Sequence, residues 1–303
     1  MPSRRARNLE IWHIPKRSSV HQMIGSVLAF LDMGYHGRTW TRGRMETFNT
    51  ELGKRGLTKS GRPLAVSARR TLEALLKYLG FIFIDFDTTP PLLLITDVGR
   101  ELATSHTTFP KFRTLREAAR QKALIKASPM VKLQMVKLQL TNPIVLENCV
   151  NIQVFPFRNT LRLLRDVGYL TFEEIGYILF SMKREDEYSV IKQRILSFRS
   201  LSPDRRDAEL AAYKQTEEGV LTLVKAPTAG YYASLCVGTG LCEYKKRVLT
   251  IRKGKITDVD KIIATFKGVE PFNFADNRRL WIEYYGVPRR LRPPRLVSIR
   301  LEE

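Results

Sequence analysis

A chain of 303 residues is long enough for two or three compact modules or one large domain, and at 44% hydrophobic it can bury a real core. Its 51 Lys and Arg against 30 Asp and Glu give a net charge of +21 and a pI near 10.1, a self-repulsion that suits a polyanionic partner: nucleic acid first, an anionic membrane surface second. At 27% charged and rich in Leu the chain does not read as disordered, no apolar run reaches the ~18 residues of a membrane span, and Cys149, Cys236 and Cys242 suit neither a disulfide framework nor a thiolate cage, which points to a reducing intracellular compartment.

The opening Pro2-Ser3-Arg4-Arg5-Ala6-Arg7 is unlike a secretory signal. The first 70 residues hold 14 Lys and Arg and only four acids, an asymmetry expected of a face built to meet phosphates; Arg38, Arg42, Arg44, Lys59 and Arg62 are its candidate contacts. Apolar spacing predicts helices over His21–Met33, Arg42–Arg55 and Val66–Leu79, the last with Leu72, Leu75, Leu76 and Leu79 on one side and Arg69 and Arg70 on the other. Gly80 stops it. Phe81–Ile84 and Leu92–Ile95, separated by turn residues, predict a hairpin, and Thr96 caps a helix over Asp97–Ala103. Three helices and a hairpin make a winged helix.

The middle reads as helical. Pro156–Val167 ends at Gly168, Thr171 and Glu174 form a capping box for a helix running to about Met182, and Asp186–Phe198 follows. This is a helix-turn-helix pattern with Lys192, Arg194 and Arg199 as its basic positions. The phrase Leu75–Leu102 is echoed by Ser234–Ile263: helix, glycine, strand, turn, strand, helix. In the second copy Gly240 starts the strand, Lys245-Lys246-Arg247 makes the tip, and Thr257 caps the last helix. The expected class is mainly α with small β-hairpins, a multi-module winged-helix and helix-turn-helix architecture. The expected division is 1–110, winged-helix-like; 111–205, helix-turn-helix-like; 206–286, a second winged-helix-like unit; and 287–303, a basic Pro/Arg-rich tail or linker.

Catalytic patterns are scarce. Glu243-Tyr244-Lys245 is an E-x-K string of the kind nucleases use, but no Asp or Glu lies between Val220 and Cys242 to complete a metal site. Glu243 and Lys245 are therefore weak catalytic candidates. Asp85 with Asp87 and Asp258 with Asp260 are explained by turns and helix starts. The four histidines lack ligand spacing, so no metal site is expected. Trp12, Trp40 and Tyr231-Tyr232 are expected in packing rather than on bases.

Several stretches in order, "EIWHIPKR" (10–17), "RTWTRGRMETFNTEL" (38–52), "VSARRTLEALLKYLGFIFID" (66–85), "TNPIVL" (141–146), "RLLRDVGYLTFEEIGYILFS" (162–181) and "WIEYYGVP" (281–288), resemble the N-terminal DNA-recognition region of AlwI-type type IIS restriction and nicking endonucleases. The resemblance implies helical, winged-helix-like subdomains that read a short asymmetric site, followed by a linker and a Mg²⁺-dependent nuclease domain. It puts Ser67, Arg69 and Arg70 on the DNA-facing helix of the first module. The chain stops where the linker would start, so cutting is expected from a fused nuclease domain or a separate nuclease subunit. The expected partner is double-stranded DNA, bound by a monomer in a prokaryotic cytoplasm, with no cofactor in this chain and Mg²⁺ only where a nuclease is present. The rivals are a winged-helix transcriptional regulator and a complete metal-dependent endonuclease built on Glu243 and Lys245.

Overall fold

The computed structural model describes residues 7–8, 10–14, 20–57, 73–104, 117–141, 143, 147–148, 151–225, 227–274 and 277–293. After the short β1 (Arg7–Asn8), α1 (Val20–Asp32) buries Met23, Ile24, Val27, Ala29 and Phe30. β2 (Arg38–Thr39) leads into α2 (Arg42–Lys54), where the Thr41 hydroxyl accepts the Arg44 amide at 3.4 Å. Of the helix predicted over Val66–Leu79, the part that falls among the described residues is α3 (73–78). Gly80, at φ +71, turns the chain into β3 (Ile82–Asp85), which pairs antiparallel with β4 (Leu92–Ile95). Thr96 caps α4 (Asp97–Thr104), accepting the Gly99 amide at 3.1 Å. β2 also pairs with β4, so the sheet order is β2-β4-β3. Helix, strand, two helices and a hairpin in that order form a winged helix.

α5 (Glu117–Lys137) is a spine that packs against α1, α4, α6 and α11. Contact on several sides scatters its apolar residues around the axis, so no single stripe announces it. β5 (Glu147–Asn148) pairs parallel with β1. Then α6 (Pro156–Val167) starts on a proline and ends at Gly168, φ +84. β6 (Tyr169–Thr171) runs into α7 (Phe172–Tyr177) through the predicted capping box: the Thr171 amide donates to Glu174 at 2.8 Å, and the Glu174 amide to the Thr171 hydroxyl at 3.1 Å.

α7 stops at Tyr177 rather than near Met182. The Gly176 carbonyl, which would bond the next turn, instead accepts the Tyr213 hydroxyl at 3.0 Å, and a 3₁₀ turn over Leu179–Ser181 follows. Next come α8 (Tyr188–Ser200), α9 (Pro203–Gln215) and α10 (Glu217–Gly219), which passes into a π turn at Val220–Val224. α11 (Thr228–Gly238) precedes β7 (Cys242–Lys245) and β8 (Val248–Ile251). β6 pairs with β8, giving the order β6-β8-β7, the same as in the first sheet. The capped helix of the middle and the late hairpin thus share one winged-helix unit, with residues 178–227 inserted between its second and third helices. α12 (Ile256–Thr265) corrects one expectation: Lys255, not Thr257, is its N-cap, and Lys255 instead holds first-turn Asp258 at 2.9 Å.

One buried cluster runs from Trp12 to Val259 and spans both winged units. Gly238 of α11 packs on Val20 and Val131, joining α1, α5 and α11. A second cluster forms where the chain returns to the first unit: α13 (Arg278–Tyr285) buries Trp281, Tyr284 and Tyr285 with Phe83 and Phe274. Lys137, fully buried at the end of α5, donates to the carbonyls of Tyr284 (3.0 Å) and Val287 (2.7 Å), and the Tyr285 hydroxyl donates back to the Lys137 carbonyl at 2.9 Å. The start of the predicted basic tail is therefore seated on α5. Among the described residues, no helix is long and apolar enough to cross a membrane.

Candidate nucleic-acid interface

The β7–β8 turn has two residues, Lys246 and Arg247, beyond the register pair Lys245 and Val248. Both sit at positive φ, +49 and +64, as in a type I′ turn. That turn matches strand twist but suits Asn-Gly, since a Cβ in the left-handed region costs about 1–2 kcal/mol per residue. Arg247 is held against the start of α7. Its guanidinium lies 4.1 Å from the Phe172 ring centre and 2.8 Å from the Glu173 carboxylate, and its carbonyl accepts the Phe172 amide at 2.8 Å. Lys245 pairs with Glu243 at 2.5 Å. Lys246 is exposed and makes no ion pair or hydrogen bond among the described residues.

In the first unit, Arg38, Arg42 and Arg44 gather at the β2–α2 corner. Arg42 is exposed and pairs with Glu46 at 3.0 Å, Arg38 is exposed, and Arg44 folds back onto the Thr39 carbonyl and hydroxyl. Lys59, Arg62, Ser67, Arg69 and Arg70 lie outside the described residues. Beside this corner, His36 accepts the Ile95 amide at 3.0 Å, and Arg100 lies 2.6 Å from its other ring nitrogen. Burial, then the Arg100 charge, holds its pKa below the ordinary histidine value.

The basic positions of α8 are engaged within the fold. Lys192 pairs with Asp166 at 2.8 Å, Arg194 donates to the Ser181 hydroxyl at 2.8 Å, and Arg199 pairs with Glu174 at 2.6 Å while stacking on Tyr169. Lys192 and Arg199 fasten the insertion to α6 and the capping box, and Arg194 ties α8 to the 3₁₀ turn. Beside α8 lies a pocket in which Tyr177, Ile178, Val190, Phe198 and Leu201 are joined by Gln193, Arg194 and Glu209.

Glu243 is flanked by two cations. Its hydrogen bond and charge pairing with Lys245 hold its pKa below the ordinary carboxylate value, and Arg252 lies 3.8 Å away on its other side. No group of three or more His, Cys, Asp or Glu able to hold a metal occurs among the described residues. Asp85 accepts the Asp87 amide in a turn, and Asp260 pairs with Arg165 at 2.6 Å. Trp12, Trp40 and Tyr232 are buried in the core, Trp12 stacked on Phe180 and Tyr232 bonded to the Thr160 hydroxyl at 2.6 Å.

Sequence reasoning placed the wing tip but missed its clamp: Phe172 and Glu173 read only as the start of a capped helix. No protein-family model matches the chain, and no curated protein matches it. Among solved structures, the chain is similar to the BpuJ1 endonuclease binding domain, crystallised in complex with pyrene- and phenanthrene-modified DNA. The TM-score is 0.57 at 12% identity, over 91% of this chain and 97% of that one. The likeness is one of fold.

Proposed function

We propose that this chain binds double-stranded DNA at a defined sequence, as the recognition part of a restriction endonuclease. The observation that carries the reading is a pair of winged-helix units, one with a basic wing, in a chain of net charge +21 whose fold matches a binding domain crystallised on DNA. The resemblance to AlwI-type type IIS and nicking enzymes refines it: an asymmetric site, a monomer, and cutting supplied with Mg²⁺ by a nuclease domain or subunit acting beside these residues. Arg69 and Arg70 are the proposed base readers of the first unit, because an arginine fork matches guanine. The exposed cations Arg38, Arg42 and Lys246 are the proposed phosphate contacts.

The test is selection of bound duplexes from a randomised pool. One non-palindromic motif should emerge, preferred over random duplex by about a thousandfold. Equal retention of every duplex contradicts sequence recognition; a palindromic motif bound by a dimer contradicts the type IIS refinement and favours a regulator.

A further inference from the structure

Asn-Gly or Asp-Gly would close the β7–β8 hairpin without strain. The fold does not need long cations there, since β7 and β8 pair over four residues and are anchored in the core by Cys242 and Leu249. The two left-handed positions nevertheless hold Lys246 and Arg247. Strain kept in a short turn points to a task for the residues that cause it.

We propose that Lys246 contacts a backbone phosphate of the duplex and that Arg247 is the positioning residue that aims it; this rests on the DNA-binding reading above. Arg247 is fixed by three different interactions: the face of Phe172, the carboxylate of Glu173, and its own carbonyl to the Phe172 amide. A turn held this way has already lost the freedom that a loose loop would lose on binding. The nearby acids are matched as well. Glu243 is paired with Lys245 and Glu173 with Arg247, so among the described residues Lys246 is the cation of the tip left without an acid partner.

The experiment is a titration of the full chain with a random-sequence duplex and with the selected duplex, across about 50–200 mM salt. K246Q should weaken binding about 3- to 10-fold on both duplexes and lower the salt slope by about one unit, as expected for one lost phosphate contact. R247K keeps the charge but cannot lie flat on Phe172. It should lose as much as K246Q and add little in the K246Q background, because the two residues act as a unit. The double variant K246N/R247G places an unstrained pair in the turn. It should bind as weakly as K246Q yet melt at a higher temperature, which separates lost contact from lost fold. Wild-type affinity and slope in K246Q would overturn the wing contact while leaving DNA binding intact. Wild-type behaviour of R247K would overturn the positioning role. Failure of the unmodified chain to bind any duplex would overturn both this proposal and the reading beneath it.

Discussion

In the first winged unit the turn between β3 and β4 runs through Phe86-Asp87-Thr88-Thr89-Pro90-Pro91; in the second, Lys246-Arg247 suffices. The first tip closes on itself: the Asp87 amide donates to the Asp85 carboxylate at 2.9 Å, and the Thr88 hydroxyl to the Asp85 carbonyl at 3.1 Å. Arg278, at the start of α13, reaches it, 3.8 Å from Asp87 and 5.5 Å from the ring centre of Phe86, though both residues stay exposed. The second tip is strained, basic and clamped only from beneath. Sheet order is identical in the two units, so topology does not decide what a wing does. Two carboxylates at a tip repel phosphates and two cations attract them; on that ground the second wing, and not the first, is the proposed DNA contact.

The largest expected effect tests the first half of the comparison. Trp281 is fully buried and stacks on Tyr285 at 4.9 Å between centroids. Trp281→Ala should cost about 3–5 kcal/mol of stability and raise amide exchange in β3, β4 and their turn, with the β7–β8 turn unchanged. Unchanged exchange in the first wing would mean that α13 does not hold it.

A smaller effect comes from Lys137, the ammonium that seats the end of α13. Burial pushes its pKa down to about 7. Between pH 7 and the ordinary lysine value, the unfolded chain keeps a proton that the folded chain has released, so stability from this group rises with pH across that window. Below pH 7 both states are protonated and the full burial penalty stands. Tyr284 and Tyr285, which face it, have pKa values raised by burial and stay protonated. Lys137→Met should remove this pH dependence, worth about 2 kcal/mol between pH 7 and 9. Parallel pH profiles of thermal stability for the two proteins would contradict this.

What was legible in the sequence was local. α1, α2 and α6 lie within about a residue of their predicted bounds, because each carries an apolar stripe bounded by a cap, a glycine or a proline. The first hairpin follows from apolar runs around turn residues, and the second from its echo of the first. α13 was hidden because its aromatics pack on β3 and α5, far away in sequence, as was the pairing of β6 with β8. Site residues were the hardest to judge. Lys192, Arg194 and Lys246 look alike as letters, yet the first two are engaged by Asp166 and Ser181. A charge count cannot tell a cation that faces solvent from one that meets a partner in the fold. The Arg247 clamp depends on Phe172 and Glu173, which the β6–β8 pairing brings close.

The claim that the two wings have separate tasks is tested most directly by photo-crosslinking from each tip. A benzophenone amino acid would be placed at position 86 in one protein and at position 246 in another, each bound to the selected duplex. The account predicts a crosslink to DNA from position 246 and none from position 86, where the aromatic replacement keeps the shape of Phe86. A crosslink from position 86, or none from position 246 while the duplex remains bound, would contradict it.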